Sequence, residues 1–269
     1  MDTFSLILTF IFGVVVGSFL NVVALRFNTG MGLGGRSKCM SCGTSLTWKE
    51  LIPLLSFLFQ KGACKKCKSK ISWQYPLVEF IAGAIFVLIF FAFPPVDVFS
   101  AVTTLFQVVI ACLLVVISVY DIKHKIIPDS FVYSFAGISL ISLIVGGSSW
   151  FHVPTIEMLI AGPLLALPFA LLWFVSKGKW MGLGDAKLTL GIGWLLGVSA
   201  GINALVLAFW IAAAFSVIWL ISLKKKFKPR IEIPFGPYLI LGLYLVLLFH
   251  IQVLDIHLLR DIILSYIKL

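Results

Sequence analysis

The chain has 269 residues, of which 61% are hydrophobic and only 12% are charged. This balance excludes an ordinary soluble domain, in which about a quarter of the residues are charged. The net charge of +10 is gathered in short segments between long apolar runs. That pattern is typical of an integral membrane protein and does not indicate nucleic-acid binding.

Long apolar runs predict an all-α polytopic membrane protein with about eight transmembrane helices. The first run, Phe4–Leu25, is as long as a membrane-spanning helix requires, and no clear signal-peptide cleavage site follows it. The closing segment, 256–269, carries mixed charge and is predicted to lie in the membrane interface. The predicted spans are 4–25, 76–94, 98–120, 131–147, 156–176, 183–199, 200–222 and 236–255.

The loop after the first span contains two Cys-x2-Cys pairs, Cys39–Cys42 and Cys64–Cys67. Two such pairs predict a tetrahedral zinc site, because each pair holds the metal from a tight turn. Disulfides are the alternative, but the loop is predicted to be cytoplasmic, where thiols stay reduced. The loop is too small to fold on its own core, so metal would supply folding energy. Its apolar insert, Leu51–Phe59, is predicted to pack on the zinc module or to enter the membrane interface.

Basic residues define the predicted orientation. Residues 26–75 hold nine Lys or Arg and one acid, Glu50. With eight spans, this loop and the other basic segments all fall on one side, which the positive-inside rule makes cytoplasmic. Both termini are then predicted to be outside. The other basic residues on this side are Lys123, Lys125, Lys177, Lys179, Lys187, Lys224–Lys226, Lys228 and Arg230.

Two aspartates border apolar runs on the same predicted face. Asp121 ends the run Ala101–Tyr120, and Asp185 opens the run Ala186–Leu196. Placing an ionisable side chain at the edge of a membrane span costs free energy. A residue kept there in spite of this cost is a candidate for function. Two carboxylates that meet around one water form an acid/base pair for hydrolysis. The alternative is a pair of helix-end charges, since helix N-termini favour acids.

Gly13, Gly17 and Asn21 recur every four residues in the first span and so share one helix face. Small residues at this spacing predict close helix packing, and Asn21 would then serve as a polar contact between helices. Cys112 lies within the third span and is interpreted as a packing residue.

Six blocks in order resemble the bacterial type IV prepilin leader peptidases. These are Gly-Ser-Phe-Leu-Asn-Val from Gly17, the two cysteine pairs, Tyr-Pro-Leu-Val-Glu at 75–79, Asp121 with Ile-Pro-Asp at 127–129, Gly-Leu-Gly-Asp at 182–185, and Pro-Phe-Gly-Pro-Tyr at 234–238. The similarity runs from about residue 13 to residue 245, nearly the whole chain.

The resemblance implies a bifunctional enzyme of the bacterial inner membrane. Members remove the leader of type IV prepilins and pseudopilins at the cytoplasmic face and then methylate the new N-terminal amine with S-adenosylmethionine. Carried over by motif, the aspartyl pair is Asp121 and Asp185. The family associates methyl transfer with the amino-terminal region, which points to Gly17, Asn21 and Glu79 beside the cysteine loop.

The chemistry of the pair follows from its charge. Two neighbouring carboxylates cannot easily both ionise, so one is expected to hold a proton. The ionised one would activate water, and the protonated one would polarise the scissile carbonyl. Gly182 and Gly184 would let substrate backbone approach. Asp129 and Lys187 are predicted to support the site, although a topological or solvated-charge role is the alternative.

The predicted organisation has four parts: the first span at 1–25, the zinc loop with its methyl-transfer role at 26–75, the peptidase bundle at 76–255 and the interfacial segment at 256–269. Zinc is predicted as a structural metal, and the partners are prepilins and membrane lipid, with no nucleic acid. Alternatives are a peptidase without methyl transfer, a proton or cation transporter that uses the aspartates, and a membrane scaffold with a zinc module.

Overall fold

The computed structural model describes residues 2–30, 32–145, 153–222 and 233–255, and their regular structure is entirely helical apart from two isolated β-bridges. The predicted all-α class is therefore confirmed. A single 3₁₀ turn covers Trp48–Glu50. The α-helices are α1 (Thr3–Arg26), α2 (Leu55–Phe59), α3 (Gln74–Ala92), α4 (Val98–His124), α5 (Asp129–Ile144), α6 (Ile156–Ser176), α7 (Leu183–Ser222) and α8 (Gly236–Phe249).

Five helices within the described residues are long and apolar enough to cross a membrane, namely α1, α3, α4, α6 and α7. Helices α5 and α8 are apolar but shorter. Membrane character is confirmed, whereas the count of eight spans stays a prediction. The four-part division also stays a prediction, and its last part, 256–269, lies outside the described residues.

The chain forms two compact units, Met1–Tyr120 and Asp121–Leu269, and the boundary between them in sequence falls inside α4. In the first unit, α1 packs closely on α3. A Cβ added at Gly13 would lie 2.8 Å from the Cα of Gly83, and one at Gly17 would lie 2.7 Å from the Cβ of Ala82. The predicted small-residue face of α1 is therefore the surface on which α3 packs.

In the second unit, α7 lies against α5, α6 and α8. Glycines make these approaches possible. A Cβ at Gly191 would lie 2.4 Å from the ring of Phe135 in α5, and one at Gly193 would lie 2.5 Å from the carbonyl oxygen of Ala161 in α6. On α8, a Cβ at Gly242 would lie 2.3 Å from the carbonyl oxygen of Ala204.

Helix α7 is broken at Gly197, whose φ of 77° and ψ of −179° are not helical. A Cβ on Gly201 would lie 4.0 Å from the Cα of Gly193. Residues eight apart in a continuous helix are separated by about 12 Å along the axis. The chain therefore turns back on itself at Gly197, and α7 is a pair of helices. The sequence predicts two spans here with a boundary after residue 199, close to this break.

Two helix ends differ by four or more residues from the predicted ones. Helix α4 continues to His124, so Asp121 lies inside its last turn. Helix α8 ends at Phe249 rather than at 255, since the next residue, His250, has a left-handed φ of 51°. Beyond it, the N–H groups of Val253 and Leu254 each donate to the Oδ1 atom of the buried Asn203 at 2.7 Å. The end of the predicted span is thus an irregular segment that caps the side chain of Asn203.

Candidate functional site

The second unit brings Asp121 and Asp185 close enough for their charges to interact. Asp121 lies in the last turn of α4 and is only 4% exposed, whereas Asp185 lies in the first turn of α7 and is half-buried. The two residues are 64 positions apart in the sequence. They come together because the end of α4 lies near the beginning of α7. The predicted aspartate pair is thus a physical pair, and its catalytic role stays a prediction.

A backbone donor fixes Asp121. The N–H group of Gly236, the first residue of α8, donates to Oδ2 of Asp121 at 3.0 Å. A Cβ at Gly236 would lie 2.7 Å from that same oxygen. Only glycine therefore allows the backbone to approach the carboxylate this closely without moving it. The beginning of α8 thereby becomes a third component of the site.

Ile127 fills the space between the glycine-bearing helix ends. It follows Lys125, whose left-handed φ of 57° ends α4, and its side chain is buried. A Cβ at Gly184 would lie 2.8 Å from the Cβ of Ile127, and one at Gly236 would lie 3.3 Å from its Cδ1. Gly184 thus packs on Ile127. Gly182 is exposed and borders the carboxylate of Asp185, since a Cβ there would lie 3.9 Å from Oδ2.

Asp129 and Lys187 form an ion pair with each other. Lys187 Nζ lies 2.6 Å from Oδ1 of Asp129 and 4.9 Å from the ring centre of Tyr133. The side chain of Asp129 is 66% exposed, so water screens this pair. The contact joins the beginning of α5 to the first turn of α7. A supporting role for the two residues in catalysis stays a prediction.

The four loop cysteines come together in the first unit. Their sulfur atoms all lie within 4.8 Å of one another, and Cys39 Sγ is 3.8 Å from Cys67 Sγ. The edge of a zinc–sulfur tetrahedron is about 3.8 Å for the usual bond length. All five cysteines of the chain belong to the described residues and are free thiols. The donor set and its spacing therefore fit a four-thiolate metal site.

The two cysteine pairs adopt the same turn. A bridge between Lys38 and Ser45 encloses the first pair, and one between Ala63 and Lys70 encloses the second. The residue after each second cysteine has a left-handed φ, 69° at Gly43 and 59° at Lys68. Such turns direct backbone N–H groups at the sulfur atoms.

These donors favour the thiolate that a metal requires. Backbone N–H groups of Cys42 and Ser41 lower the pKa of the Cys39 thiol to about 6. The hydroxyl of Ser69 lowers the pKa of Cys67. Thiolates are the form that binds metal, so Cys39 and Cys67 are prepared for a cation. At Cys64 the backbone hydrogen bonds are outweighed by burial and by the neighbouring thiols, and its pKa is raised.

A buried polar cluster joins α1 to α3. Asn21 donates from Nδ2 to the carbonyl oxygens of Gly17 and Tyr75, and its Oδ1 accepts from Gln74. Glu79, one turn further along α3, is also buried. The structure thus gathers the three residues that the resemblance associates with methyl transfer, although Gly17 itself is occupied by packing against Ala82.

Glu79 also holds the loop. Its Oε2 atom accepts from the N–H group of Leu54 at 2.7 Å, and its carboxylate is hydrogen-bonded by Ser18. Leu54 immediately precedes α2 and has a positive φ of 59°. The carboxylate therefore satisfies a backbone donor that would otherwise lack a partner at the start of this helix.

Sequence reasoning missed the roles of Gly236, Ile127 and Leu54. Gly236 and Ile127 both lie in blocks that carry the resemblance. For Gly236, the sequence Pro-Phe-Gly-Pro at 234–237 offered a signal, because a glycine among prolines indicates a close backbone approach. Leu54 gave no comparable signal, because its bond to Glu79 depends on contact between segments 25 residues apart.

Two family models match the chain. Residues 11–93 match the bacterial peptidase A24 N-terminal domain, and residues 108–217 match the type IV leader peptidase family. No solved structure gives a significant match.

Curated relatives cover almost the whole chain. A prepilin leader peptidase/N-methyltransferase of Bacillus subtilis (strain 168) is 31% identical over 243 residues, which is 89% of this chain and 92% of that protein. One of Aeromonas salmonicida (strain A449) is 30% identical, covering 90% of this chain and 89% of that protein. A type 4 prepilin-like proteins leader peptide-processing enzyme of Escherichia coli O78:H11 is 28% identical, covering 86% and 88%. This chain belongs to the type IV leader peptidase family.

Proposed function

We propose that this protein is a membrane-embedded aspartyl endopeptidase that removes the leader of type IV prepilins or pseudopilins and then N-methylates the new N-terminal residue. The observation that carries the proposal is the interacting pair Asp121 and Asp185, with Asp121 held by Gly236, in a member of this family. The relatives named for both activities support the substrate class and the second reaction.

The two aspartates divide the work of hydrolysis. Asp121 is the base, because a hydrogen bond from the Gly236 N–H group stabilises the ionised carboxylate. It takes a proton from water, whose oxygen attacks the scissile carbonyl carbon. Asp185 holds the second proton and hydrogen-bonds the carbonyl oxygen as negative charge develops there. Asp121 then gives the proton that it took from water to the leaving amine as the C–N bond breaks, which restores the starting state of the pair.

The site lies at the cytoplasmic edge of the membrane in this proposal. Supporting this, Asp121 lies in a last helical turn, Asp185 lies in a first one, and Lys123, Lys125 and Lys187 flank them. Basic residues at span ends favour the cytoplasmic side of the bacterial inner membrane. A prepilin with a polar leader and an apolar helix would present its cleavage junction at this level.

Methyl transfer is assigned to the first unit. S-adenosylmethionine supplies the methyl group when bound. Asn21 and Glu79, with amide and carboxylate groups in a buried setting, fit the binding of hydroxyl and amine groups. Glu79 would hold the ammonium form of the freed terminus and orient it, and the amine must lose its proton before its nitrogen can attack a methyl carbon. Gly17 acts through packing, because α3 occupies its face.

Zinc is the metal we assign to the four cysteines. The set of four sulfur donors leaves no ligand position for water, which suits a structural ion rather than a catalytic one. The ion would join the two similar turns, and with them the two ends of the loop. The loop has few buried apolar side chains, Phe57 and Cys64 among them, so most of its folding energy would come from the metal.

The first prediction concerns the aspartates. Asp121→Asn and Asp185→Asn should each lower leader cleavage by roughly 10⁴-fold, because the two carboxylates act as a unit. Co-expression with a type IV prepilin, read by mass spectrometry of the pilin, measures this. Asp129→Asn is the matched control: it removes an exposed ion pair worth about 0–1 kcal/mol and should retain cleavage. Normal processing by either variant of the pair would refute the mechanism.

The second prediction tests the backbone donor. Gly236→Ala should lower cleavage about 10²-fold, because the added methyl displaces the base from its position. Gly242→Ala, on the same helix, creates an even closer clash, 2.3 Å from Ala204, but lies away from the aspartates. At matched levels of folded protein, Gly242→Ala should retain cleavage. An equal loss in both variants would mean that Gly236 only packs α8.

The third prediction separates the two reactions. Glu79→Gln keeps the volume and an acceptor for Leu54 but removes the charge, so methylation should fall at least about 10-fold while cleavage continues. The product would be a cleaved, unmethylated pilin. Gly17→Ala is the packing control and should lower protein level and both reactions together. Methylated pilin at the wild-type rate from Glu79→Gln would reject the assignment.

The fourth prediction concerns metal content. Protein purified under reducing conditions should contain one zinc per chain by elemental analysis, since four soft thiolates prefer this ion. Cys64→Ser should lose the metal and expose the loop to proteolysis, whereas Cys112→Ser should keep both metal and protection. A metal-free wild-type protein with an ordered loop would overturn the assignment.

A further inference from the structure

Helix α2 presents an apolar face that no described part of the chain covers. Leu55, Leu58 and Phe59 are 49%, 68% and 81% exposed. Their spacing of three and four residues places them on one side of the helix. Phe57 points the other way and is buried. An apolar patch of this kind marks an interaction surface rather than an ordinary water-exposed one.

Two contacts fix the position of α2 relative to a membrane span. The Leu54 N–H group donates to Glu79, and the ring of Phe57 lies 4.9 Å from that of Trp73. Trp73 immediately precedes α3, and Glu79 is its sixth residue, about 7.5 Å along the axis from the first. Helix α2 is therefore held beside the first turns of a span, at the depth where polar headgroups meet acyl chains.

The first turns of α3 also carry exposed apolar side chains. Leu77 and Phe80, in the first turns of α3, are 57% and 54% exposed, and lipid is the natural environment of such residues in a membrane helix. Trp73 is also exposed, and tryptophan is enriched at this level of a bilayer. The exposed side chains of α2 therefore lie beside the beginning of a helix whose own exposed apolar residues lipid would cover.

The positive charge of the segment after α2 indicates that the lipid is anionic. Five lysines follow α2 within eleven residues, and Glu50 is the only acid between residues 36 and 73. The lysines are exposed, with Lys61, Lys65 and Lys66 nearest to α2 in sequence. An apolar helix face followed by a basic segment matches the two layers of an anionic membrane surface, acyl chains below and phosphates above.

We propose that α2 is an interfacial anchor, which inserts Leu55, Leu58 and Phe59 among the lipids of the leaflet where α3 begins while the following lysines bind anionic headgroups. The anchor holds the cysteine loop against the membrane through lipid as well as through α3. It does not depend on the assignment of either reaction.

Photocrosslinking tests the anchor in the full-length protein. Phe59→p-benzoylphenylalanine, reconstituted in vesicles containing phosphatidylglycerol, should form lipid adducts detectable by mass spectrometry. The yield should fall several-fold in vesicles of phosphatidylcholine alone. The matched control, Met40→p-benzoylphenylalanine, lies at the exposed tip of the first cysteine pair and should give several-fold fewer adducts. Equal yields at positions 40 and 59 would overturn the proposal.

Two further outcomes decide between partners. Replacing Lys65 and Lys66 by glutamine should lower the adduct yield at position 59 in anionic vesicles to the value in neutral ones. If position 59 instead crosslinks to an added prepilin or to another segment of this chain, and yields no lipid adduct, the surface is a protein-docking site and the lipid anchor is wrong.

Discussion

The hydrogen bond from the Gly236 backbone to Asp121 is the contact on which the second unit depends. It joins segments 115 residues apart and brings the beginning of α8 to the end of α4. A buried carboxylate without such a donor would be strongly destabilising in an apolar bundle. Because the donor is backbone, it cannot rotate away, and the carboxylate is held in a fixed direction. Glycine makes this arrangement possible, and the side chain of Ile127 fills the remaining space.

In the first unit, side chains connect distant segments in a similar way. Its loop is connected to the span α3 by the carboxylate of Glu79, which accepts from the backbone of Leu54. Four sulfur atoms then draw the two ends of the loop together. In both units, a buried carboxylate at a helix end fixes an incoming backbone segment. Polar groups in apolar surroundings thus serve as structural contacts as well as reactive groups. A buried donor or acceptor without a hydrogen bond would lower the stability of the fold, so each of these groups is paired.

Features with a local signature could be predicted from the sequence. Hydropathy predicts the long apolar helices, paired cysteines predict the thiol cluster, and two isolated aspartates predict the candidate site. Other features depend on distant contacts and have no local signature. The irregular segment after α8 is held by Asn203, which accepts hydrogen bonds from Val253 and Leu254. The role of Gly236 depends on where α4 ends, and hydropathy places that end at residue 120 whereas helical hydrogen bonding continues to 124.

The break at Gly197 has a consequence for the bilayer itself. It leaves the first half of α7 only 14 residues long, from 183 to 196, while α5 has 16 residues and α8 has 14. These helices are about 21–24 Å long, shorter than a hydrocarbon core of about 30 Å. If they are spans, as the sequence predicts, the lipid around them would have to thin to match the protein. Water would then cross less hydrocarbon to reach the aspartates, and a substrate helix in the lipid would meet them in a locally thinner membrane.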